Sequence, residues 1–344
     1  MVEPGGHVDD RRNDVVVSRP RDPILVADAK WKEGGWDTGW HFRAALSLYR
    51  VAELIRDHDE AVMKPLRLTS AKHEALAIVY FSRRGQVGLA RLSERLLVHP
   101  TSVTSTVDAL EHLGFVRRTS HPTDRRATLA TITTKGRRAI RQTCSELGGR
   151  HSGLDALSAA DAERLFAVLA RVRADAGDIK RSDGEEPAHD PVLDAEANWA
   201  HEGWLDGPWF RTAFSVYRTA ELVRQSNDHA LRPLELTHVR HEALAVLHFS
   251  AAGEMPMGQL SGRLVVHPTS VTSTVDTLQR LGYVRRVPHP ADRRATLARI
   301  TPKGRRAVEA AIGGMAVARC GVGALTSTQA RMVFTLLAKV RGAA

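Results

Sequence analysis

The sequence is written twice. The run Val98-His-Pro-Thr-Ser-Val-Thr-Ser-Thr-Val-Asp108 returns unchanged from Val266 to Asp276, 168 residues later. The same shift carries Trp31 onto Trp199, Tyr49 onto Tyr217, His73-Glu-Ala-Leu-Ala77 onto His241–Ala245, and Asp124–Ala130 onto Asp292–Ala298. Counted without gaps, roughly 60% of positions match between 31–140 and 199–308. Two copies are too few for a stacked solenoid. They fit two similar subunits fused on one chain and related by a pseudo-two-fold axis.

At 344 residues there is room for two ordinary domains, each able to bury a core. The formal net charge of +10 points to a polyanionic partner. No apolar stretch approaches the roughly 20 residues needed to span a bilayer, so no membrane partner is expected. Met1 to Asp14 is polar, without the apolar core of a signal peptide, and a cytoplasmic location is expected. Cys144 and Cys320 do not correspond under the shift, so they read as buried thiols rather than a repeated redox or metal site.

The breakers and mixed charges between Asp175 and His189 read as a polar linker. The expected organisation is a disordered tail over 1–19, repeat one over 20–174, the linker over 175–187 and repeat two over 188–344. In repeat one, Ala45, Leu48, Ala52 and Ile55 form a helical stripe between Phe42 and Ile55, and Pro65 closes or follows that helix. Thr69 is placed to cap a second helix, Leu89–Leu96 reads as a short third, and His99-Pro100 opens a fourth that ends at Gly114. Phe115–Ser120 and Ala127–Thr133 flank a Pro- and Asp-bearing turn, as in a hairpin. Thr133 or Thr134 caps a long helix that Gly148, Gly149 and Gly153 break or bend. Ser158-Ala-Ala-Asp161 then opens the last helix in the form of a capping box, matched by Thr326-Ser-Thr-Gln329. The fold class expected is mainly α with small β-hairpin wings: two winged helix-turn-helix repeats forming an intramolecular pseudo-dimer.

In the fourth helix, Val103, Val107 and Leu110 make one buried stripe. Thr101, Ser102, Thr104 and Ser105 lie near its N-terminus, and Thr269, Ser270, Thr272 and Ser273 repeat them. Short hydroxyl side chains there suit close approach to a major groove, where they donate and accept and a Thr methyl can meet a thymine methyl. The exposed face between Thr101 and Asp108 has no Arg, Lys, Asn or Gln, so groove shape is expected to carry much of the specificity. The hairpin supplies positive charge: Arg117, Arg118, Arg285 and Arg286 as phosphate contacts, with Asp124, Arg125 and Arg126 at one tip and Asp292, Arg293 and Arg294 at the other. A wing arginine can enter a minor groove while the Asp orients its neighbour.

Leu92-Ser-Glu-Arg-Leu96, the Thr/Ser helix, Leu113-Gly-Phe-Val-Arg117, Asp124-Arg-Arg-Ala-Thr-Leu129 and Ile132-Thr-Thr-Lys-Gly136 together resemble the MarR family of bacterial winged-helix regulators, and both repeats match. The resemblance implies a triangular dimer held by its first and last helices, with Arg126 and Arg294 in the minor groove and Asp124 and Asp292 as their orienting partners. The fusion departs from the usual homodimer. It implies a monomer that reads a pseudo-palindromic operator in double-stranded DNA, as a repressor.

All six tryptophans lie in two groups, 31–40 and 199–209. One reading has them pinning terminal helices across the subunit interface. The other is a pocket in each copy for a small aromatic or phenolic acid, built from Trp36, Trp40, Arg43 and Arg50 in the first and Trp204, Trp209, Arg211 and Arg218 in the second, the two not necessarily equivalent. MarR-like regulators often bind such effectors, and this ligand would release the DNA. No cofactor or metal is expected, since the repeated histidines lack ligand spacing. No phosphate loop or catalytic constellation marks an enzyme. The competing reading is a protein-binding antirepressor that keeps the fold without binding DNA.

Overall fold

The computed structural model describes residues 22–121, 123, 127–180, 189–205, 207–264, 268–290, 292 and 295–343, with backbone alone at 268–270 and 343. The first repeat runs α1 (Pro23–Glu33), α2 (Trp40–Met63), α3 (Ser70–Tyr80), β1 (Gln86–Gly88), α4 (Leu89–Leu96), α5 (Pro100–His112), β2 (Val116–Ser120), β3 (Thr128–Ile132), α6 (Thr134–Gly148) and α7 (Ala159–Asp175). The second runs α8 (Pro191–His201), α9 (Trp209–Leu231), α10 (His238–His248), β4 (Glu254–Pro256), α11 (Met257–Arg263), α12 (Pro268–Arg280), β5 (Val284–Pro288), β6 (Thr296–Ile300), α13 (Pro302–Val317) and α14 (Ser327–Ala343).

Local chemistry places most of these ends. Asp22 and Asp190 cap α1 and α8 by accepting from Ile24 and Val192 N–H, ahead of Pro23 and Pro191 at the first helical position. Thr133 accepts from Gly136 N–H at 3.0 Å and Ser158 from Asp161 N–H at 3.1 Å. The box opening α14 is reciprocal: Thr326 N–H donates to Gln329 Oε1 at 2.9 Å and Gln329 N–H to Thr326 Oγ1 at 3.3 Å.

The fold bears on three of the sequence readings. First, α2 runs to Met63, just short of Pro65, the residue expected to close or follow it. Its charged end stays helical because Arg56 pairs with Glu53 and because Val62 and Met63 are buried. Second, the hairpin is two strands of a three-stranded sheet in the order β1-β3-β2, with Gln86–Gly88 antiparallel to β3, and the second repeat matches it. Three residues are too few for a period-two signal. Third, the described ends of the polar segment after α7 are held to the helices and to each other. Asp178 is buried against Arg173 and Arg218, and Lys180 and His189 exchange backbone hydrogen bonds at 2.9 Å.

The interior crosses the repeat boundary. One apolar cluster joins α2 and α7 to Trp31 and to the winged helix of the second repeat. The other holds the winged helix of the first repeat and takes in Trp199 from α8. Terminal helices pack crosswise, α14 on α2 and α7 on α9. Arg341 donates to Ser47 Oγ at 2.7 Å and Asp22 at 2.8 Å, and His41 Nε2 meets the Leu325 carbonyl at 2.9 Å.

Candidate nucleic-acid interface

The buried stripe of α5 forms as its spacing requires: Val103, Val107 and Leu110 are fully buried, as are Val271, Val275 and Leu278 of α12. Thr101, Ser102, Thr104 and Ser105 are exposed, and so are Thr272 and Ser273. Thr269 and Ser270 lie in the first turn of α12, and their side chains are outside the described residues. His99 caps α5, its ring nitrogen accepting from Thr101 N–H at 3.4 Å. Thr104 Oγ1 donates back to the Pro100 carbonyl at 3.2 Å, which leaves its acceptor side and methyl outward.

The C-terminal end of the helix is tied to the start of the helix that follows the wing. Lys135 caps its C-terminus by donating to the Leu113 carbonyl at 2.7 Å, and Lys303 does the same for Leu281 at 2.8 Å. Thr133 Oγ1 donates to the Gly114 carbonyl at 2.7 Å. Arg118 and Arg286, grouped in the sequence with the phosphate contacts, are placed differently from Arg117 and Arg285. Arg117 and Arg285 are exposed. Arg118 pairs with Asp108 and reaches the Thr104 carbonyl at 3.3 Å, and Arg286 pairs with Asp276. Each ion pair joins the first wing strand to the exposed helix, so these arginines set the angle between the two. The sequence signal was present, since Asp108 and Arg118 recur together as Asp276 and Arg286.

The wing bases are closed by backbone hydrogen bonds from His121 N–H to the Ala127 carbonyl and from His289 N–H to the Ala295 carbonyl, each 3.1 Å. Asp292 lies in the second wing, its carbonyl accepting from Ala295 N–H at 3.0 Å. Asp124, Arg125, Arg126, Arg293 and Arg294 lie outside the described residues.

Of the tryptophans and arginines expected to frame an aromatic-acid pocket in each copy, Arg43 lies over the Trp40 ring at 4.6 Å, and most of the others have partners of their own. Trp31 stacks on Phe42 and Trp199 on Phe210, both with centroids 4.1 Å apart. Trp36 lies 6.0 Å from Trp31, Trp40 meets Phe334, Trp204 meets Tyr80 and Phe81, and Trp209 stacks on His151. Arg43 pairs with Asp28 at 2.6 Å, Arg211 with Glu196 and Glu163, and Arg218 with Asp178. Arg50 is exposed. Three of the four guanidinium groups are thus already neutralised. Asp28 and Glu196 are equivalent under the repeat, a signal the sequence reading passed over.

A pair of polar clusters lies instead where α3 and α10 meet the long helices. In one, Arg56 sits over the Tyr217 ring at 5.4 Å, beside Glu53 and Glu74. In the other, Arg224 sits over Tyr49 at 5.6 Å beside Glu221 and Glu242, and Asn227 donates to the Tyr49 hydroxyl at 2.8 Å. Burial pushes the carboxyl groups of Glu74 and Glu242 up to about 7. Both glutamates belong to the repeated His-Glu-Ala-Leu-Ala run, whose burial the sequence did not reveal. The histidines beside them are held neutral by burial, His73 near 4 and His241 near 3. Among the described residues no group of three or more His, Cys, Asp or Glu could hold a metal ion, and no helix is long and apolar enough to cross a membrane.

Two models of the MarR family match the chain, at residues 68–128 and 235–295. An uncharacterized HTH-type transcriptional regulator of Bacillus subtilis (strain 168), YsmB, is 29% identical over 98 residues; the match covers 28% of this chain and spans 66% of that relative's length. An uncharacterized HTH-type transcriptional regulator of Mycobacterium leprae (strain TN), ML2140, is 33% identical over 120 residues, covering 35% of this chain and 73% of the relative. Among solved structures, Sco5413, a MarR family transcriptional regulator from Streptomyces coelicolor, shares 42% identity, with 38% of this chain and 90% of that one covered at a TM-score of 0.36. The paired family matches fall one on each winged helix, and the chain belongs to the MarR family, carrying two tandem copies of its domain.

Proposed function

We propose that this protein is a sequence-specific, double-stranded-DNA-binding transcriptional regulator, a cytoplasmic repressor that reads a pseudo-palindromic operator as a single-chain pseudo-dimer. The observation that carries this reading is the pair of identical segments, 98–108 and 266–276. In the helix of each, Val103 and Val107, or Val271 and Val275, are buried, while Thr101, Ser102, Thr104 and Ser105, or Thr272 and Ser273, are exposed beside an arginine-bearing strand. A surface helix without such a task would favour Glu, Lys and Arg over these mediocre helix formers. The crosswise packing of α14 on α2 and α7 on α9 supports the pseudo-dimer, since reciprocal contacts are what a two-fold relation produces. The relatives named as transcriptional regulators support the same reading.

Two heads of this kind fit half-sites about one helical turn, roughly 34–36 Å, apart. The exposed hydroxyls take the major groove, Arg117 and Arg285 the phosphates, and the wing tips, with Arg126 and Arg294, the minor groove. Tethering holds the second head at a millimolar effective concentration, so assembly does not depend on protein level. Release by an aromatic acid at the tryptophans has less to support it, because Arg43, Arg211 and Arg218 have carboxylate partners and only Arg50 of the four is exposed.

The test is selection of duplexes from a random library, followed by affinity measurement against salt. Enrichment of an inverted repeat, with binding that weakens steeply as salt rises, is the expected outcome. Recovery of no enriched sequence, with no binding at low salt, overturns the proposal.

A further inference from the structure

The recognition helices are identical, but the turns that lead into them are not. In the first repeat, Leu97 closes α4 in the left-handed region at φ 55°, ψ 35°. Ser93 Oγ bridges the turn to the Val98 carbonyl at 2.6 Å. Two side chains from α9, in the other repeat, hold the same turn from outside. Gln225 Nε2 donates to the Leu97 carbonyl at 2.6 Å and Arg218 Nη1 to the Arg95 carbonyl at 3.0 Å. Arg218 is itself fixed by Asp178, its Nε donating at 2.7 Å, and Asp178 lies within 3.8 Å of the fully buried Arg173. Arg173 in turn makes two hydrogen bonds to Asp190, the cap of α8, at 2.5 and 3.1 Å. The inter-repeat segment thus ends in a buried, charge-balanced cluster of two arginines and two aspartates. Removing one member would leave a buried charge unpaired, which is costly.

The second repeat keeps the arginine–cap pair, Arg341 donating to Asp22 at 2.8 Å, but departs at the clamp itself. Residue 57 stands where the first head's clamp uses Gln225, and it is Asp, whose carboxylate cannot donate to a carbonyl. Arg50, equivalent to Arg218, is exposed and has no hydrogen-bond partner among the described residues. Val265 stands where Leu97 turns left-handed, and a β-branched residue resists that conformation. Consistent with this, α11 ends one position early, with Leu264 extended at φ −85°, ψ 133°. Gly258 and Gly262 replace Ala90 and Glu94 within the short α11, where glycine is a poorer helix former than either.

We propose that Gln225 and Arg218 are positioning residues for the first reading head. They lock its helix-turn-helix turn to α9 through Asp178, while the second head is left compliant, so that one half-site is read at a fixed position and the other with tolerance. This rests on the DNA-binding reading above. It makes the operator functionally lopsided although both recognition helices carry the same residues.

Hydrogen exchange on the full chain tests the clamp without DNA. In wild type, amides spanning 94–103 are expected to exchange at least about tenfold more slowly than those spanning 262–271. Gln225 is exposed, so Gln225→Ala leaves the fold intact. It is expected to remove most of that difference, speeding the first turn alone, while Asp57→Ala at the equivalent position changes neither turn. On the duplex selected by wild type, Gln225→Ala is expected to bind about fivefold more weakly, the loss of one neutral hydrogen bond. It should also discriminate less between spacers one base pair longer or shorter. Equal exchange of the two turns in wild type overturns the inference, as does an equal response of the second turn to Asp57→Ala. So does a Gln225→Ala chain with unchanged exchange and spacer preference. Failure of wild type to bind any duplex removes the functional reading, while the exchange contrast still decides the clamp.

Discussion

Trp199 offers the most direct test of how the two repeats depend on each other. It belongs to the second repeat by sequence, yet its ring is buried with the winged helix of the first, stacked on Phe210 and edge-on to Trp204 at 5.7 Å. A buried tryptophan removes roughly 150–250 Å² from water, which at about 25 cal/mol per Å² is roughly 4–6 kcal/mol. That is an upper figure, because the unfolded chain already hides part of the surface. Truncations of this kind cost about 3–5 kcal/mol, a large share of the roughly 5–15 kcal/mol that holds a domain folded. Trp199→Ala is therefore expected to loosen α3 to α6, more than 50 residues earlier in the chain, while leaving α10 to α13 protected. Site-resolved hydrogen exchange reads this directly, and a melting curve should split into two transitions as the first winged helix unfolds early. Trp31→Ala is expected to loosen the second winged helix instead. If each substitution weakened only its own repeat, the crosswise burial would be refuted.

Four other outcomes are expected. Asp108→Asn with Asp276→Asn should lower operator affinity through a misaimed wing while melting shifts little, as exposed ion pairs contribute roughly 0–1 kcal/mol; unchanged affinity would show that the pairs do not set the wing angle. Arg126→Ala with Arg294→Ala should weaken binding markedly and reduce its salt dependence, read by anisotropy titration at several salt concentrations. Gly148→Ala should lower the melting temperature, because a Cβ there would lie 1.9 Å from the Trp204 carbonyl oxygen. Glu74 and Glu242 have folded values near 7, raised from 4.5; the stability they contribute is complete below 4.5 and is lost as pH rises through 7. Glu74→Gln with Glu242→Gln should therefore raise the melting temperature at pH 8 and have little effect at pH 5; no difference between the two pH values would show that these carboxyls titrate normally.

The reading of α5 from sequence holds at each described position, because its information is local. Valines three or four residues apart share a face whatever surrounds the helix, and His99-Pro100 fixes where it starts. The caps at Thr69, Thr133 and Ser158 were legible for the same reason. β1 was not, since it is a strand only by virtue of pairing with β3, more than 40 residues on. Arg118 looked like one more basic residue in a run until the fold put Asp108 beside it.

The sequence by itself determined that there are two units, in which order α2 to α7 and the two wing strands come, and which face of each recognition helix is polar. Only the tertiary structure decided that each Trp-bearing helix serves the opposite repeat, that Asp178 is a buried anchor, and that a glutamine of α9 braces one turn and not its twin. The physical reason is range. Helical faces and caps are set by neighbours within about four residues, which leave a periodic trace. Contacts between residues more than a hundred positions apart leave none, and which groups meet is fixed only when the apolar surfaces of both repeats are buried together.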